Sequence, residues 1–241
     1  MPEVFLKNHG FCPVCSAETI FQSQEPWLRD HYICRRCQSI PRERALKRVI
    51  DSFYPQWREL VIHESSPAQR GTSLVLQQEA PGYVASHFYP GVPPGTLVDG
   101  FRCENLEALT FPDESIDVHI SQDVLEHIFH PERAFAEIAR TLKPGGAHIF
   151  TVPIVRKQQP TQRRAKMCED GTITHLLPPQ YHGNPVAAEG SLVTFDWGYD
   201  IVMDIWNTSK LCTFIVQIDD LFHGIRAEYI DVFVTQKIVK A

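Results

Sequence analysis

The sequence predicts an α/β protein with a largely parallel, doubly wound sheet, preceded by a small metal-binding module. Residues 118–150 follow the order strand, polar turn, helix, Lys-Pro-Gly-Gly turn and strand. A strand–helix–strand unit of this length joins parallel strands and leaves ligand chemistry at their carboxyl ends. Strands and helices also alternate before this unit, which favours a doubly wound sheet. Two Cys-x-x-Cys pairs near the N-terminus predict the separate module.

Length and composition fit one α/β domain of ordinary size with a small appendage. The 241 residues are 43% hydrophobic, and the net charge of −6 argues weakly against a general nucleic-acid-binding protein. The chain has no run of about 18 apolar residues, so no membrane-spanning helix is expected. Residues 1–10 lack the pattern of a secretory signal. Because paired cysteines of this kind suit a reducing compartment, we expect a cytoplasmic location.

Residues 1–40 are expected to form a zinc ribbon held by Cys12, Cys15, Cys34 and Cys37. The two Cys-x-x-Cys pairs are separated by 18 residues, which matches the spacing of a four-cysteine zinc site. Each pair forms a tight turn that aims two thiolates at one point, and two turns complete a tetrahedron. Since protein fills all four positions, the Zn²⁺ is expected to be structural and to supply much of the folding free energy.

The rest of the chain is expected to form a linking helix and the α/β domain. Residues 41–57 make the link, in which a helix ends at Pro55, and residues 58–241 make the domain. Within the unit 118–150, Pro131 suits a first helical turn, and Gly145 and Gly146 are expected to stop the helix. The other predicted elements are strands at 59–64, 83–90, 96–103, 211–218 and 227–237 and helices at 72–80 and around 198–207.

Residues 154–190 are predicted to be an inserted loop region, because they are polar, basic and rich in proline and glycine. A segment of this length without clear periodicity is usually functional or mobile. His175, Tyr181 and His182 within it are candidates to hold a polar substrate or to act as a base. The basic residues of this segment and of residues 29–48 are either solvated faces or contacts for an anionic group on a substrate or partner.

The segment LTFPDESIDVHISQDVLEHIFHPERAFAEIARTLKPGGAHIFTVP, residues 109–153, resembles the second half of class I S-adenosylmethionine-dependent methyltransferases. It is most similar to the methyltransferase type 11-like branch, whose pattern combines a Phe-Pro-Asp turn, a Leu-Glu-His motif and a Leu-Lys-Pro-Gly-Gly turn. The resemblance implies a Rossmann-like seven-stranded methyltransferase sheet that ends in an antiparallel pair of strands. It also implies S-adenosylmethionine as the cofactor.

The resemblance places one half of the cofactor site on the turns after the first two core strands. In the family the first turn is rich in glycine, so that its backbone approaches the methionine part of the cofactor. Here the aligned turn contains Glu64, Ser65, Ser66 and Ala68 instead of the glycines. An acid that bonds the ribose follows the second strand in the family, and His87 stands at that place.

The other half of the implied site matches the family more closely. Asn105 fits the position near the adenine amino group, and Leu106 is placed to flank the ring. Gln122 and Asp123 fall where the family lines the cofactor pocket. In the same turn, the resemblance implies that His127 faces the transferring methyl group and positions or deprotonates a hydroxyl. The alternative is that His127 only packs on the start of the helix.

Three functions are consistent with these features. The first is an S-adenosylmethionine-dependent methyltransferase for a small hydroxylated or sugar-like acceptor. The second, motivated by the missing glycines and ribose acid, is a methyltransferase fold without cofactor that serves as a zinc-ribbon interaction module. The third is an rRNA methyltransferase, which the acidic net charge disfavours. In that third case, the residues expected to contact the RNA phosphates are Arg29, Arg35, Arg36, Arg42 and Arg44.

Overall fold

The structure is a computed structural model that describes residues 4–184, 186 and 188–238, and it begins with a three-stranded antiparallel sheet. Strands β1 (Leu6–Cys12), β2 (Ala17–Ser23) and β3 (Ile33–Cys34) pair in that order, and the short helix α1 (Leu28–His31) lies between β2 and β3. Phe21 and Tyr32 are buried beside Cys12 and Cys34. We call residues 4–40 the N-terminal module; its boundary as a domain stays a prediction.

The next element is helix α2 (Pro41–Phe53), which lies in the predicted link 41–57 and ends before Pro55 as expected. Pro41 occupies the first turn, where its missing N–H costs nothing. The Glu43 carboxylate accepts a hydrogen bond from the Ile40 backbone N–H at 3.0 Å and so caps the helix start. The apolar face of α2, which includes Leu46 and Ile50, packs in one core cluster with the strands of the main sheet.

The main sheet has eight strands in the order β16-β17-β9-β8-β4-β5-β7-β6. The central strands β4, β5, β7, β8 and β9 are parallel, and β17 runs antiparallel between β9 and β16. This arrangement confirms the predicted Rossmann-like, mostly parallel sheet with an antiparallel pair at its end. The strand bounds are β4 (Ile62–Ser65), β5 (Tyr83–His87), β6 (Leu97–Val98), β7 (Phe101–Cys103), β8 (Ile116–Gln122), β9 (Leu142–Thr151), β16 (Cys212–Val216) and β17 (Val232–Gln236).

The eighth strand, β6, was not predicted, because residues 96–103 were expected to form one strand. Instead they form a hairpin in which β6 pairs antiparallel with β7. Asp99 and Gly100 occupy its turn with φ of 50° and 84°. Two consecutive left-handed residues are characteristic of a type I′ turn, for which Asp-Gly is a preferred sequence. The Asp-Gly pair therefore reverses the chain inside the predicted strand.

The predicted inserted region contains short paired strands. Three two-stranded antiparallel sheets lie in residues 162–196, which is more order than the lack of periodicity predicted. They pair β10 (Gln162–Arg163) with β15 (Phe195–Asp196), β11 (Ala165–Met167) with β12 (Ile173–His175), and β13 (Tyr181–His182) with β14 (Ser191–Leu192).

The remaining helices are α3 (Gly71–Glu79), α4 (Pro131–Thr141) and α5 (Ile201–Ser209). Helix α4 ends before the glycines that were expected to stop it, since Leu142 already belongs to β9. Lys143 precedes Pro144, and a residue before proline disfavours helical conformation. Gly145 instead donates its N–H to the Lys237 carbonyl at 2.7 Å. None of the helices in the described part of the chain has the length and hydropathy required to cross a membrane.

A buried guanidinium, that of Arg44 on α2, joins the N-terminal module to the main sheet. Arg44 is 0% exposed. Its Nη2 donates to the carbonyls of Tyr32 and Gly224, both at 2.7 Å, and its Nη1 donates to the Ser39 carbonyl. The same group lies over the Phe21 ring, 4.7 Å from its centroid. The Arg44 side chain, which belongs to α2, thus links the N-terminal module to the loop before β17.

Close contact between backbones completes this joint. A Cβ on Gly10 of β1 would lie 1.9 Å from the Phe222 carbonyl oxygen. The next residue, Phe11, donates its N–H to that same oxygen at 2.8 Å. On the other side, a Cβ on Gly224 would lie 2.5 Å from the Phe21 ring. Both glycines are therefore required by space, because any side chain would separate the two surfaces.

Three histidines form a buried row across the middle of the main sheet. His63 on β4, His119 on β8 and His148 on β9 are aligned in register. The Nδ1 atoms of His63 and His119 are 2.8 Å apart, and His148 Nε2 lies 2.9 Å from Ser121 Oγ. Burial lowers the pKa of His63 and His148 to about 3. Burial, with the two neighbouring histidines, also lowers the pKa of His119 well below its usual value. All three imidazoles are therefore neutral at pH 7.

We expect Arg44→Met to destabilise the protein by about 3 kcal/mol or more, because it leaves buried carbonyl groups without donors. The measurement is the urea midpoint of unfolding. Arg48→Met on the exposed side of the same helix is the matched control and should leave the midpoint nearly unchanged. Equal midpoints for the two variants would show that Arg44 does not hold the joint.

The buried histidines should make the protein sensitive to acid. Their folded pKa lies below the ordinary 6.5, so the unfolded chain takes up protons first as the pH falls. Their contribution is complete above about pH 6.5 and is lost progressively toward about pH 3. His148→Gln should reduce the loss of unfolding free energy between about pH 7 and about pH 5 by about 2 kcal/mol.

Urea unfolding at both pH values measures that difference. His31→Gln, at an exposed position, is the control and should decline in parallel with the wild type. A parallel decline for His148→Gln as well would contradict the expectation.

Candidate functional site

A cavity of about 940 Å³ opens at the carboxyl ends of the parallel strands. The turn after β4, the residues that follow β7 and β8, the β13–β14 pair and the first residues of α1 and α2 enclose it. Its volume lies in the usual range of small-molecule sites. The predicted site residues on its wall are Ser65, Ser66, Asn105, Leu106, Gln122, Asp123, His127 and His182.

Five predicted site residues do not line this cavity, and Glu64 is the clearest case. It belongs to β4, is 0% exposed, and accepts hydrogen bonds from Ser73 Oγ at 2.7 Å and the Tyr83 hydroxyl at 2.8 Å. Gln122 Nε2 also donates to it at 3.1 Å. Burial raises the pKa of Glu64, and these donors oppose that shift. Glu64 therefore braces the floor beneath the cavity.

The other four lie outside the wall for different reasons. His87 is buried in β5 with its ring against Phe101, at a centroid distance of 4.5 Å. Ala68 follows the β4 turn without reaching the cavity. His175 and Tyr181 belong to β12 and β13 and are exposed to solvent. Of the three candidates in this segment, only His182 lines the cavity.

The turn after β4 has the conformation that a glycine would favour. Ser66 adopts φ of 53°, in the left-handed region, and its N–H donates to the Ser86 carbonyl at 2.7 Å. A non-glycine residue in this conformation costs about 1 kcal/mol or more. The turn therefore retains the shape of a close backbone approach although its residues carry side chains. The chain then enters α3 at Gly71, where a Cβ would lie 2.4 Å from the Glu43 carboxyl group.

Two arginines supply the positive side of the cavity. Arg29 of α1 and Arg42 of α2 both pair with Asp123 Oδ2, and Thr151 Oγ1 donates to Asp123 Oδ1 at 3.0 Å. The three charged side chains are only 11%, 15% and 14% exposed. Burial, followed by repulsion from Arg29, lowers the pKa of Arg42 to about 10, so both guanidiniums remain charged at pH 7. The N-terminal module thus contributes directly to the cavity.

The positions of the arginines can be compared with the prediction that they contact the phosphates of an RNA. Arg29, Arg42 and Arg44 point inward, whereas Arg35 and Arg36 are exposed. The basic residues of the inserted region are mostly engaged nearby; Arg164, for example, pairs with Asp196 at 2.6 Å. A continuous basic surface is therefore not formed by these residues.

Unpartnered polar atoms remain on the cavity residues. Among the described residues, Gln122 Oε1 and Arg42 Nε are buried without a hydrogen-bond partner. One is an acceptor and the other is a charged donor, so together they match the ammonium and carboxylate groups of an amino acid. Buried polar atoms normally have partners, and a bound ligand of this kind would provide them.

A buried carboxylate, that of Glu126, lies beside the His127 and His182 imidazoles of the cavity wall. Glu126 is 2% exposed, and neither of its carboxylate oxygens has a hydrogen-bond partner among the described residues. Its Oε1 lies 3.8 Å from His127 Nε2 and 3.7 Å from His182 Nδ1. His127 Nδ1 lies 2.9 Å from the Leu192 carbonyl oxygen, which can only accept. The proton of neutral His127 is therefore on Nδ1, and Nε2 carries a lone pair.

The four predicted metal ligands also meet at one point. The Sγ atoms of Cys12, Cys15, Cys34 and Cys37 lie within 4.8 Å of one another, and those of Cys12 and Cys37 are 3.7 Å apart. Thiolates bound to one Zn²⁺ in a tetrahedron are about 3.8 Å apart. Hydrogen bonds from Cys12 and Cys37 lower the pKa of Cys34, while burial raises the pKa of Cys15 to about 12. The donor set and its spacing fit zinc.

Sequence reasoning missed two features of the cavity. Arg29 and Arg42 were considered only as part of a basic run, and Glu126 was not predicted as a site residue. The basic run was the available signal for the arginines. Their pairing with Asp123, across sequence separations of 94 and 81 residues, depends on the folded chain.

The chain is similar to methyltransferases in sequence over part of its length. Residues 84–150 match the sequence model of a family described as methyltransferase domain. A dimethylglycine N-methyltransferase of Parasynechococcus marenigrum is 27% identical over 106 residues, which cover 43% of this chain and 33% of that protein. An uncharacterized methyltransferase of Mycolicibacterium vanbaalenii is 32% identical over 109 residues, which cover 36% of this chain and 41% of that protein. The chain thus spans less than half the length of these curated relatives.

Similarity of fold extends further along the chain. The crystal structure of an S-adenosylmethionine-dependent methyltransferase from Mesorhizobium loti superposes with a TM-score of 0.51 at 15% identity, over 79% of this chain and 96% of that one. At this identity the superposition shows the fold alone. The protein therefore has the Rossmann-like α/β fold of S-adenosylmethionine-dependent methyltransferases, and its residues 84–150 match the methyltransferase domain family in sequence.

Proposed function

We propose that the chain is an S-adenosylmethionine-dependent methyltransferase acting on a small polar acceptor. The observation that carries this proposal is the coincidence of two features. Residues 84–150 match the methyltransferase domain family, and the cavity lies at the carboxyl edge of the strands in and beside that segment. Ligands of open α/β sheets bind at this edge.

Residues at the carboxyl ends of different strands would hold the cofactor. Asn105 and Leu106 would contact the adenine, and the β4 turn with Ser65 and Ser66 would face the methionine part. Gln122 Oε1 and Arg42 Nε, which lack hydrogen-bond partners, suit the ammonium and the carboxylate of that part, respectively. The bound cofactor supplies a methyl group that its sulfonium already activates. The work of the protein is then mainly to orient the acceptor and to exclude water.

His127 is the best placed group to receive a proton from an acceptor. Its Nδ1–H donates to the Leu192 carbonyl, which fixes the ring and leaves Nε2 as an acceptor on the cavity wall. The Glu126 carboxylate lies beside it, with Oε1 at 3.8 Å from His127 Nε2. His182 lies on the same wall, whereas His175 and Tyr181 are too exposed to share this role.

The acceptor class follows from the polarity of the site. Imidazoles, a carboxylate and the arginine pair line one side of the cavity, which suits a small hydroxylated or sugar-like molecule, or an amino acid like that named for one curated relative. The N-terminal module would serve as a structural zinc ribbon that places Arg29 and Arg42. We propose a cytoplasmic location, as the cysteine pairs suggest.

The cofactor proposal is tested by calorimetry with S-adenosylmethionine and S-adenosylhomocysteine. We expect one site per chain. Asn105→Ser keeps a side-chain oxygen for the Glu107 N–H, which Asn105 accepts at 2.9 Å, and removes the amide donor. This variant should bind about 10-fold more weakly, whereas Asn207→Ser at an exposed position should not differ from the wild type. The absence of heat and of thermal shift at millimolar cofactor would refute the enzyme and favour the interaction module.

The zinc site is tested separately by metal analysis. The purified wild type should contain Zn²⁺ at the cysteine cluster, and Cys34→Ser should lose it and unfold at lower denaturant, since metal binding supplies folding free energy. Cys212→Ser, outside the cluster, is the matched control and should retain the metal. A wild type without zinc would refute the site.

A further inference from the structure

We infer that Glu126, His127 and His182 form a second metal site, which binds a divalent first-row transition metal on the wall of the cavity. The three residues each offer one ligand atom, and these atoms lie within 4.8 Å of one another. Two imidazoles and one carboxylate are a donor set that suits Zn²⁺, Fe²⁺, Co²⁺ and Ni²⁺.

The first argument is the charge of Glu126. Its side chain is 2% exposed, and both carboxylate oxygens lack hydrogen-bond partners within the described residues. An isolated buried carboxylate is costly unless a cation neutralises it. The nearest arginines of the cavity, Arg29 and Arg42, are already paired with Asp123. The two arginines attract Glu126 only from a distance, and no cation or donor among the described residues contacts its oxygens, which a bound ion would do.

The second argument is the orientation of His127. Because Nδ1–H donates to the Leu192 carbonyl, the lone pair on Nε2 faces Glu126 Oε1 at 3.8 Å. Two acceptors that face each other repel unless a cation lies between them. A proton on Nε2 would neutralise the pair, but 3.8 Å exceeds hydrogen-bond reach. Ligand atoms that share one ion at about 2.1 Å are about 3.0 to 3.4 Å apart, which small side-chain rotations would achieve.

The third argument is the arrangement of the outer contacts. Metal-binding histidines usually donate their second ring N–H to a carbonyl or amide oxygen. His127 does so to Leu192, and His182 Nε2 lies 3.3 Å from the Gln180 amide group, leaving Nδ1 toward Glu126 at 3.7 Å. The amide oxygen and nitrogen of Gln180 are interchangeable in position, so Nε2–H can donate to the oxygen. His127 is thus held as ligand histidines are held, and turning the Gln180 amide by 180° would hold His182 in the same way.

The ligands come from two separate parts of the chain. Glu126 and His127 follow β8 directly, whereas His182 belongs to β13. Thr194, beyond β14, already ties these parts together, since its N–H donates to the Glu126 carbonyl at 2.7 Å. A bound ion would fasten the inserted region to the sheet edge. With the ion bound, His127 Nε2 is a ligand and no longer accepts a proton, so the ion would take over that role by binding a hydroxyl oxygen of the acceptor and easing loss of its proton. This role in catalysis rests on the proposed function, whereas the binding of the metal does not.

The test uses the full chain with its cysteine cluster loaded with zinc. Calorimetric titration with further Zn²⁺ should detect one additional site, and the added ion should raise the melting temperature. Glu126→Gln and His182→Asn should each weaken this second site about 100-fold or more. The matched controls are Glu132→Gln and His175→Asn, which are exposed residues of the same types outside the cavity, and they should bind the second ion like the wild type.

Two results would overturn the inference. One is a wild type that binds no ion beyond the cysteine cluster at millimolar Zn²⁺, and the other is equal binding by Glu126→Gln. The metal-free Glu126→Gln protein loses an unpartnered charge and should melt no lower than the wild type. If it fails to fold, His182→Asn carries the test, because its side chain is 37% exposed. Cofactor calorimetry on the same samples separates failure of the metal site from failure of the methyltransferase proposal.

Discussion

The guanidinium of Arg44 is the group on which the joint between the N-terminal module and the sheet depends. It donates to carbonyls of Tyr32 and Ser39 in the module and of Gly224 in the loop before β17. Arginine offers five donors in one rigid plane, and here Nε, Nη1 and Nη2 together reach the three carbonyls. Burial lowers the pKa of Arg44 to about 10, and thiolates at Cys12 and Cys34 oppose that shift. Since four thiolates on Zn²⁺ would carry excess negative charge, the metal centre and the joint would stabilise each other.

The same helix connects this joint to the cavity. Arg42 and Arg44 are two positions apart on α2, so they point about 200° apart around its axis. Arg44 turns toward the module and the β17 loop, and Arg42 turns toward Asp123 at the end of β8. Folding of the N-terminal module therefore determines the electrostatics of a site that lies on the sheet edge. In the absence of the arginines, Asp123, Glu126 and the strand ends would give this cavity a negative potential.

Features that depend on local chemistry were predictable from the sequence. The cysteine spacing predicted the cluster, Pro131 marked the start of α4, and the Leu-Glu-His and Lys-Pro-Gly-Gly motifs predicted the sheet around β8 and β9. The hairpin at Asp99 was missed because its strands are two and three residues long, too short to show a period. The small sheets of residues 162–196 escaped prediction for the same reason. The arginine pairs with Asp123 and the open carboxylate of Glu126 depend on distant residues, which no local pattern encodes.

The two glycines at the joint limit which partner each of the two parts could accept. Gly10 admits the Phe222 carbonyl from one side, and Gly224 admits the Phe21 ring from the other. Each surface therefore fits its counterpart only because the counterpart has a glycine, which carries no Cβ, at the point of contact. An N-terminal module taken from another protein would lack the ring that fits against Gly224, and another sheet would lack the loop that fits against Gly10. The two parts are therefore not interchangeable units.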